Sequence, residues 1–177
     1  VLVLSNRPGA AGLARAEAAG VATAVVDHRA YPDRESFDAE VTHRLRGAGV
    51  ELVACAGFMR IMTGALTDAW AGRMLNIHPS LLPLFPGLDT HARALAAGVA
   101  IHGCTVHEVT RELDAGPILG QAAVAVQPGD TEESLAARVL EQEHRLYPMV
   151  LDAFARDPDA ARARPVALFG PESPAGA

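Results

Sequence analysis

Short apolar runs alternate with amphipathic helical patterns along this chain of 177 residues, and this alternation constrains the fold more than any other feature. Each strand–helix–strand unit places two strands side by side in parallel and lays a helix across the sheet. The pattern therefore predicts an α/β fold with a mostly parallel central sheet flanked by helices.

Hydrophobic periodicity sets the bounds of the predicted elements. We expect strands or extended runs over residues 1–5, 21–26, 51–56, 73–77, 102–110 and 118–126. We expect helices over residues 11–19, 34–46, 66–71, 90–97 and 131–156. Phe37, Val41 and Leu45 have helical spacing in the second of these, and Thr131 would cap the last, a long amphipathic helix. The run at 51–56 is apolar enough to be buried on both faces. Residues 1–156 would form one domain, and the Pro-, Ala- and Gly-rich residues 157–177 a tail draped over its surface.

Charge and composition exclude several classes of function. The net charge is −6 and the pI about 5.6, whereas a general nucleic-acid binder needs clustered basic residues. No apolar stretch is long enough to span a bilayer, and the N-terminus lacks a signal-peptide pattern. Cys55 and Cys104 lie in apolar runs, as reduced core thiols do. We expect a cytoplasmic protein with neither a nucleic-acid nor a membrane partner.

Polar side chains end the predicted strand at 73–77, where the sequence reads Leu75-Asn76-Ile77-His78-Pro79. Side chains alternate along a strand, so Asn76 and His78 point to one face, at the strand end where α/β sheets bind ligands. A carboxamide beside an imidazole can stabilise an oxygen that gains negative charge. Taken alone, the pair favours a structural role, in which Asn76 bonds a loop backbone and His78 is a satisfied polar core residue. Residues 78–87 contain three prolines and are expected to be irregular.

Asp114 is a second candidate, in the turn Leu113-Asp114-Ala115-Gly116-Pro117. Asp before small residues and Pro is common in turns, but a carboxylate there could also orient His78 and sustain its imidazolium form. His102 and Cys104 share one strand face, yet ligands on one strand without a second cluster make a poor tetrahedral metal site. We therefore expect no metal.

Four sequence blocks resemble a known family in their order and spacing. They are Ala56–Ile61 (AGFMRI), Leu75–Pro83 (LNIHPSLLP), Leu113–Pro117 (LDAGP) and Gln142–Pro148 (QEHRLYP). Together they closely resemble the phosphoribosylglycinamide formyltransferases, which are folate-dependent formyltransferases, and the likeness extends to about Arg156. The resemblance implies a Rossmann-like formyltransferase fold.

The resemblance also implies an activity. Family members transfer a formyl group from 10-formyltetrahydrofolate to the amine of glycinamide ribonucleotide in de novo purine biosynthesis. Their catalytic Asn, His and Asp match Asn76, His78 and Asp114. The amine would attack the formyl carbon directly, Asn76 and a protonated His78 would stabilise the oxyanion, and Asp114 would sustain the imidazolium and relay protons through water.

Binding residues follow from the same resemblance. Those expected to contact the folate are Met59, Arg60, Ile61, Met62, Thr110 and Leu113. Those expected to contact the ribonucleotide substrate are Arg34, Gly57, Pro79, His107 and Glu143. The implied partners are small-molecule substrates alone, and we expect a monomer or a weak homodimer.

This chain departs from the family pattern in two places. Asp89 stands where the family often has His, so we assign it no role. Val1–Arg7 aligns with the family's second strand, so the family's first strand and Gly-Ser-Asn-rich phosphate loop have no counterpart, and we expect about one βα unit to be missing. We expect the chain to be a fragment of a longer working protein. Alternatively, Ser5–Gly12 is itself the phosphate loop, although Pro8 lacks an N–H donor.

Three alternatives to the ribonucleotide enzyme stay open. Formyltetrahydrofolate hydrolase and methionyl-tRNA formyltransferase share the Asn–His–Asp trio. The hydrolase usually has an N-terminal regulatory domain and the tRNA enzyme a basic C-terminal domain, and neither is evident here. Residues 81–88 also fit the ribonucleotide enzyme better. The third alternative is a catalytically inactive folate- or nucleotide-binding module.

Overall fold

The computed structural model describes residues 1–170, which form two compact units. The first unit comprises Val1–Val53 and Gly57–Met74. The second comprises Ala54–Ala56 and the described chain from Leu75 onward.

The first unit begins with a two-stranded parallel sheet. Strands β1 (Leu2–Ser5) and β2 (Ala22–Val25) pair from Leu2 opposite Ala22 to Ser5 opposite Val25. Helix α1 (Ala11–Ala18) connects them. Gly20, at φ +69°, ends the helix in the left-handed conformation that glycine adopts without steric penalty.

Two helices complete the first unit. Helix α2 (Arg34–Gly47) buries Phe37, Val41 and Leu45 along one face, as their spacing predicted. The buried Asp38 carboxylate accepts a hydrogen bond from Thr63 N at 2.7 Å, just before helix α3 (Gly64–Ala69). Because the Thr63 hydroxyl caps it, α3 begins two residues before the predicted start.

A five-stranded sheet runs in the order β3-β4-β5-β6-β7. Its strands are β3 (Val53–Cys55), β4 (Met74–His78), β5 (Ile101–Glu108), β6 (Ile118–Ala125) and β7 (Val166–Phe169). Pairing is antiparallel for β4–β5 and β5–β6 and parallel for β6–β7. The antiparallel β5–β6 hairpin corresponds to the two extended runs that the sequence separated by a turn.

Three helices accompany these strands: α4 (Thr90–Ala96), α5 (Glu132–Arg156) and α6 (Pro158–Ala163). Thr131 caps α5 as predicted, and Ser134 completes a capping box. One face of α5 buries Leu135, Val139, Leu146, Val150 and Phe154. Gly120 lets α5 approach β6 closely, since a Cβ there would lie 2.7 Å from a Val150 methyl. The predicted α/β class is confirmed.

Two expectations from the sequence were wrong. Residues 158–169, expected to lie in a tail draped over the surface, form α6 and β7, and β7 pairs with β6 from Gly120 to Ala123. The remainder of that tail, 171–177, lies outside the described residues. The run at 51–56 is not buried on both faces, because β3 is an edge strand and its Ala54 is exposed.

Candidate active site

The pairing of β4 with β5 places three candidate side chains on one face of the sheet. Asn76 and His78 alternate with Ile77 along β4 and so point the same way. In the antiparallel register, Asn76 lies opposite His107, and His78 lies opposite Thr105. Directly opposed residues share a face, so His107 joins the pair that the sequence indicated.

His107 orients the Asn76 carboxamide. His107 Nδ1 lies 2.9 Å from the carbonyl oxygen of Glu108, which can only accept, so Nδ1 carries the proton. Burial lowers the pKa of His107, which keeps the ring neutral and leaves Nε2 as an acceptor. Asn76 Nδ2 lies 3.4 Å from that Nε2. One amide hydrogen of Asn76 therefore points to His107, and the second stays available to a substrate oxygen.

His78 lies between a carboxylate and a carbonyl. Its Nδ1 is 3.5 Å from Asp114 Oδ2, and the two side chains are only 7% and 8% exposed. Its Nε2 is 3.0 Å from the Phe85 carbonyl oxygen, to which it donates. Only an imidazolium presents a proton to both groups at once, so the arrangement suits a protonated His78.

Asp114 connects two loops to the imidazoles. Its Oδ2 accepts a hydrogen bond from Gly87 N at 2.8 Å, and its Oδ1 lies 3.7 Å from His107 Nε2. Its backbone is left-handed, with φ +51°, as is that of Phe85 at +54°. Such conformations are uncommon outside glycine and are frequent at functional sites.

The loop after β4 is held by hydrogen bonds from β5 and β6. Thr105 Oγ1 donates to the Ser80 carbonyl at 2.7 Å and accepts from Leu82 N at 3.0 Å. Gln121 Nε2 donates to the Leu82 carbonyl at 2.9 Å. These contacts fix the loop that presents the Phe85 carbonyl to His78.

A cleft elsewhere is not the candidate site. In the first unit, α2 and α3 line a cleft of about 620 Å³. It is open and contains none of the residues singled out from the sequence. We place the candidate site at the β4–β5 face because buried titratable groups converge there.

Comparison with known proteins identifies the family. The sequence model of the formyl transferase family matches residues 1–151. The chain belongs to the formyl transferase family. Among curated relatives, it is 51% identical over 155 residues to the trifunctional purine biosynthetic protein adenosine-3 of Gallus gallus, covering 88% of this chain and 16% of that protein. It is 49% identical over 153 residues to the phosphoribosylglycinamide formyltransferase of Escherichia coli, covering 86% of this chain and 72% of that one.

Solved structures of formyl transferases have the same fold. Glycinamide ribonucleotide transformylase 1 from Symbiobacterium toebii matches with a TM-score of 0.86 at 51% identity, over 88% of this chain and 74% of that chain. The Rossmann-like formyltransferase fold, in which helices flank a central sheet, is confirmed. The chain spans only about a sixth of the length of the trifunctional relative and about three quarters of this solved chain.

Other family-matched residues of the second unit lie on loops and on α5. Pro79, half-buried, directly follows His78. Thr110 and Leu113 are exposed on the loop that carries Asp114, and Thr110 Oγ1 donates to the Glu112 carbonyl at 3.1 Å. Glu143 is half-buried on α5, where burial raises its pKa. Their ligand contacts stay predictions.

The family-matched residues of the first unit follow β3 or begin α2. Arg34 is exposed as the first residue of α2, and Gly57 turns the chain at φ +64°. Met59 and Ile61 are 73% and 66% exposed, which is unusual for large apolar side chains and typical of binding surfaces. The Arg60 guanidinium lies 5.3 Å from the centre of the Phe37 ring, and Met62 is half-buried. Their roles also stay predictions.

Sequence reasoning missed the contributions of main-chain groups. The Phe85 carbonyl, the Gly87 N–H and the Glu108 carbonyl contact His78, Asp114 and His107 respectively. Every residue carries these groups, so no residue type signals them. The only available signal was the loop of residues 78–87, whose prolines excluded regular structure.

The described residues contain neither a metal-binding cluster nor a helix that could span a membrane. In residues 1–170, no three or more His, Cys, Asp or Glu side chains group so as to hold a metal ion. Over the same residues, every helix falls short of the length and hydrophobicity that a membrane span requires.

Proposed function

We propose that the protein transfers the formyl group of 10-formyltetrahydrofolate to the amine of glycinamide ribonucleotide, in de novo purine biosynthesis. The observation that supports this most directly is the buried His78–Asp114 contact at 3.5 Å, beside Asn76 on the same strand face. Membership of the formyl transferase family supports the formyl group and the folate as its donor. The names of the Escherichia coli and Gallus gallus relatives support the acceptor and the pathway.

The proposed reaction is a direct displacement at the formyl carbon. The substrate amine forms the new C–N bond while the carbonyl π electrons move to oxygen, and the oxyanion accepts hydrogen bonds from Asn76 and His78. Collapse then breaks the bond to N10 of the folate, which takes a proton as the amine loses one. Asp114 balances the imidazolium and passes protons through water. One oxyanion donor is typically worth about 3–4 kcal/mol.

The His78 proton has to change its acceptor in this mechanism. Its Nε2–H donates to the Phe85 carbonyl in the structure, and the oxyanion would compete for the same hydrogen. A full negative charge is a stronger acceptor than a neutral carbonyl, so the hydrogen bond would move to the substrate as charge develops. Interactions gained only in the transition state are those that accelerate a reaction.

We assign the remaining contacts as the resemblance implies. In the first unit, the proposed folate contacts are Met59, Arg60, Ile61 and Met62, and the proposed substrate contacts are Arg34 and Gly57. In the second unit, the proposed folate contacts are Thr110 and Leu113, and the proposed substrate contacts are Pro79, His107 and Glu143. The reaction requires small-molecule substrates and no metal, and we expect it in the cytoplasm, with the enzyme a monomer or weak homodimer.

One assay separates this function from a hydrolase, and a folate-binding measurement beside it separates this function from a non-catalytic module. The protein is incubated with 10-formyltetrahydrofolate with and without glycinamide ribonucleotide, and tetrahydrofolate and formylated ribonucleotide are quantified by mass spectrometry. We expect tetrahydrofolate release only with the ribonucleotide, in equal amount to the formylated product. Release without the acceptor would indicate a hydrolase. Folate binding with no release would indicate a non-catalytic module.

A further inference from the structure

An ion pair with a buried carboxylate lies on the opposite side of β5 from the candidate active site. Glu108 ends the strand, and its carboxylate accepts from Arg162 of α6 through two parallel contacts, Nε to Oε1 at 2.7 Å and Nη2 to Oε2 at 3.2 Å. The side chains are 8% and 36% exposed respectively. A carboxylate so far removed from water depends on its partner, and the guanidinium fork matches both of its oxygens.

The location of Glu108 makes this pair more than an attachment for α6. Side chains alternate along β5, so the Glu108 carboxylate and the His107 imidazole point to opposite faces. The ion pair can therefore influence the active-site face through the main chain of Glu108.

That main chain makes three contacts that shape the site. The Glu108 carbonyl accepts from His107 Nδ1 at 2.9 Å, and the Glu108 N–H donates to the Pro117 carbonyl at 2.9 Å. The second bond closes the loop that carries Asp114. Gly116 packs directly on the Glu108 carbonyl, where a Cβ would come within 1.8 Å of the oxygen. One residue thus sets the proton position on His107 and the return of the Asp114 loop.

We propose that Arg162 and Glu108 form a positioning pair that, from α6, fixes the His107 tautomer and thereby the orientation of the Asn76 carboxamide. The inference that this affects catalysis rests on the proposed function; the inference about the tautomer does not. Helix α6 lies beyond residue 151, where the match to the family model ends.

Replacing Arg162 would change the His107 tautomer because it leaves the Glu108 carboxylate without its partner. An unpaired buried carboxylate is strongly unfavourable, so the end of β5 shifts to hydrate it. The carbonyl then leaves His107 Nδ1–H, and the ring populates the tautomer with hydrogen on Nε2. That hydrogen faces the Asn76 amide hydrogens, so the carboxamide rotates and withdraws its N–H from the substrate.

The test is the ¹⁵N spectrum of the His107 ring in the whole protein, which distinguishes the two neutral tautomers. We expect the Nδ1–H form alone in the parent protein and a mixture of tautomers in Arg162→Gln, which lacks both the charge and the guanidinium fork. Arg162→Lys keeps the charge without the fork and should give an intermediate spectrum. Asp159→Asn removes another Arg162 contact, at 2.9 Å, from a side chain that is 96% exposed, and should change nothing.

Kinetics provide the second measurement. For Arg162→Gln, we expect kcat to fall by about tenfold to a hundredfold with KM nearly unchanged, as misplacing a catalytic group by about an ångström does. A purely structural pair would lower Tm and leave both the spectrum and kcat, measured well below Tm, as in the parent protein. If Arg162→Gln does not fold, an Arg162→Lys spectrum identical to the parent's overturns the proposal.

The two proposals fail in different ways. If Arg162→Gln loses the single His107 tautomer but the parent protein shows no formyl transfer, the positioning pair stands and the proposed function is refuted. Full formyl transfer with an unchanged His107 spectrum in Arg162→Gln would refute the positioning pair alone.

Discussion

Asp114 shows, at the scale of one residue, how several weak contacts make a specific environment. Its carboxylate accepts from Gly87 N at 2.8 Å and lies 3.5 Å from His78 Nδ1 and 3.7 Å from His107 Nε2. Burial lowers the pKa of His107, so only His78 is placed to present a positive charge to the carboxylate. The same sheet face thus holds one neutral imidazole that orients Asn76 and one that suits the protonated form.

Asp114→Asn tests this environment. The change keeps the shape and tolerates the left-handed backbone, but it removes the charge that balances the imidazolium. We expect a folded protein whose kcat is lower by about 10²–10³. The matched control is Asp89→Asn, since Asp89 is also left-handed, at φ +55°, and has no proposed role. Near-parental kcat in Asp114→Asn, measured by the formyl-transfer assay, would refute the role of Asp114.

The His91–His102 pair makes folding depend on pH. His102 is fully buried, and its Nε2 lies 3.2 Å from His91 Nδ1, a hydrogen bond that needs one unprotonated nitrogen. Burial, with the nearby His91 and His78, lowers the pKa of His102 to about 4 from an ordinary 6.5. The unfolded chain therefore binds the proton more readily, and stability falls as pH drops below about 6.5 and continues to fall towards about 4.

The size of this effect can be measured by urea unfolding at a series of pH values. The fall in the pKa of His102 from 6.5 to about 4 corresponds to a loss of roughly 3 kcal/mol in the free energy of unfolding once the pH is below both values. We expect His102→Gln to flatten the curve between pH 6.5 and 5, where few carboxylates titrate. His144→Gln, an exposed residue of α5, should leave the slope unchanged. Equal slopes in parent and His102→Gln would contradict the assignment.

At the scale of elements, some glycines are required by the close approach of a neighbouring strand, and others are not required by any neighbouring atom. Gly103 of β5 has no space for a side chain, because a Cβ would lie 1.9 Å from the Ala122 carbonyl oxygen and 3.0 Å from a Leu81 methyl. Gly12 in α1 has nothing within 4 Å of the equivalent position. The β5–β6 pairing therefore depends on one glycine, while α1 contains another without steric need.

Alanine at these two positions should act in opposite directions. Gly103→Ala forces β5 away from β6, and we expect a loss of about 1–3 kcal/mol in the free energy of unfolding, as overpacking gives. Gly12→Ala improves helix propensity and should add about 0.5–1 kcal/mol. Urea unfolding of both variants gives the two values. A loss of stability in Gly12→Ala, or none in Gly103→Ala, would contradict these assignments.

At the scale of the whole molecule, ligand binding should raise stability by linkage. A ligand that binds only the folded chain at a hundred times its Kd adds about 2.7 kcal/mol. We expect tetrahydrofolate to raise Tm in the parent protein and, to a similar extent, in Asp114→Asn, because we assign Asp114 to charge balance during transfer. Differential scanning calorimetry measures both. A Tm rise confined to the parent protein would instead make Asp114 a binding residue.

The sequence by itself determined the α/β class, the buried faces of α2 and α5, the Thr131 cap and the shared face of Asn76 and His78. These follow from periodicity and capping, which depend on residues a few positions apart. Only the tertiary structure decided that His107 opposes Asn76, that the Phe85 carbonyl meets His78, and that Arg162 pairs with Glu108, 54 residues away. Strand register, main-chain contacts and the docking of α6 and β7 depend on packing between distant segments, which local patterns do not encode.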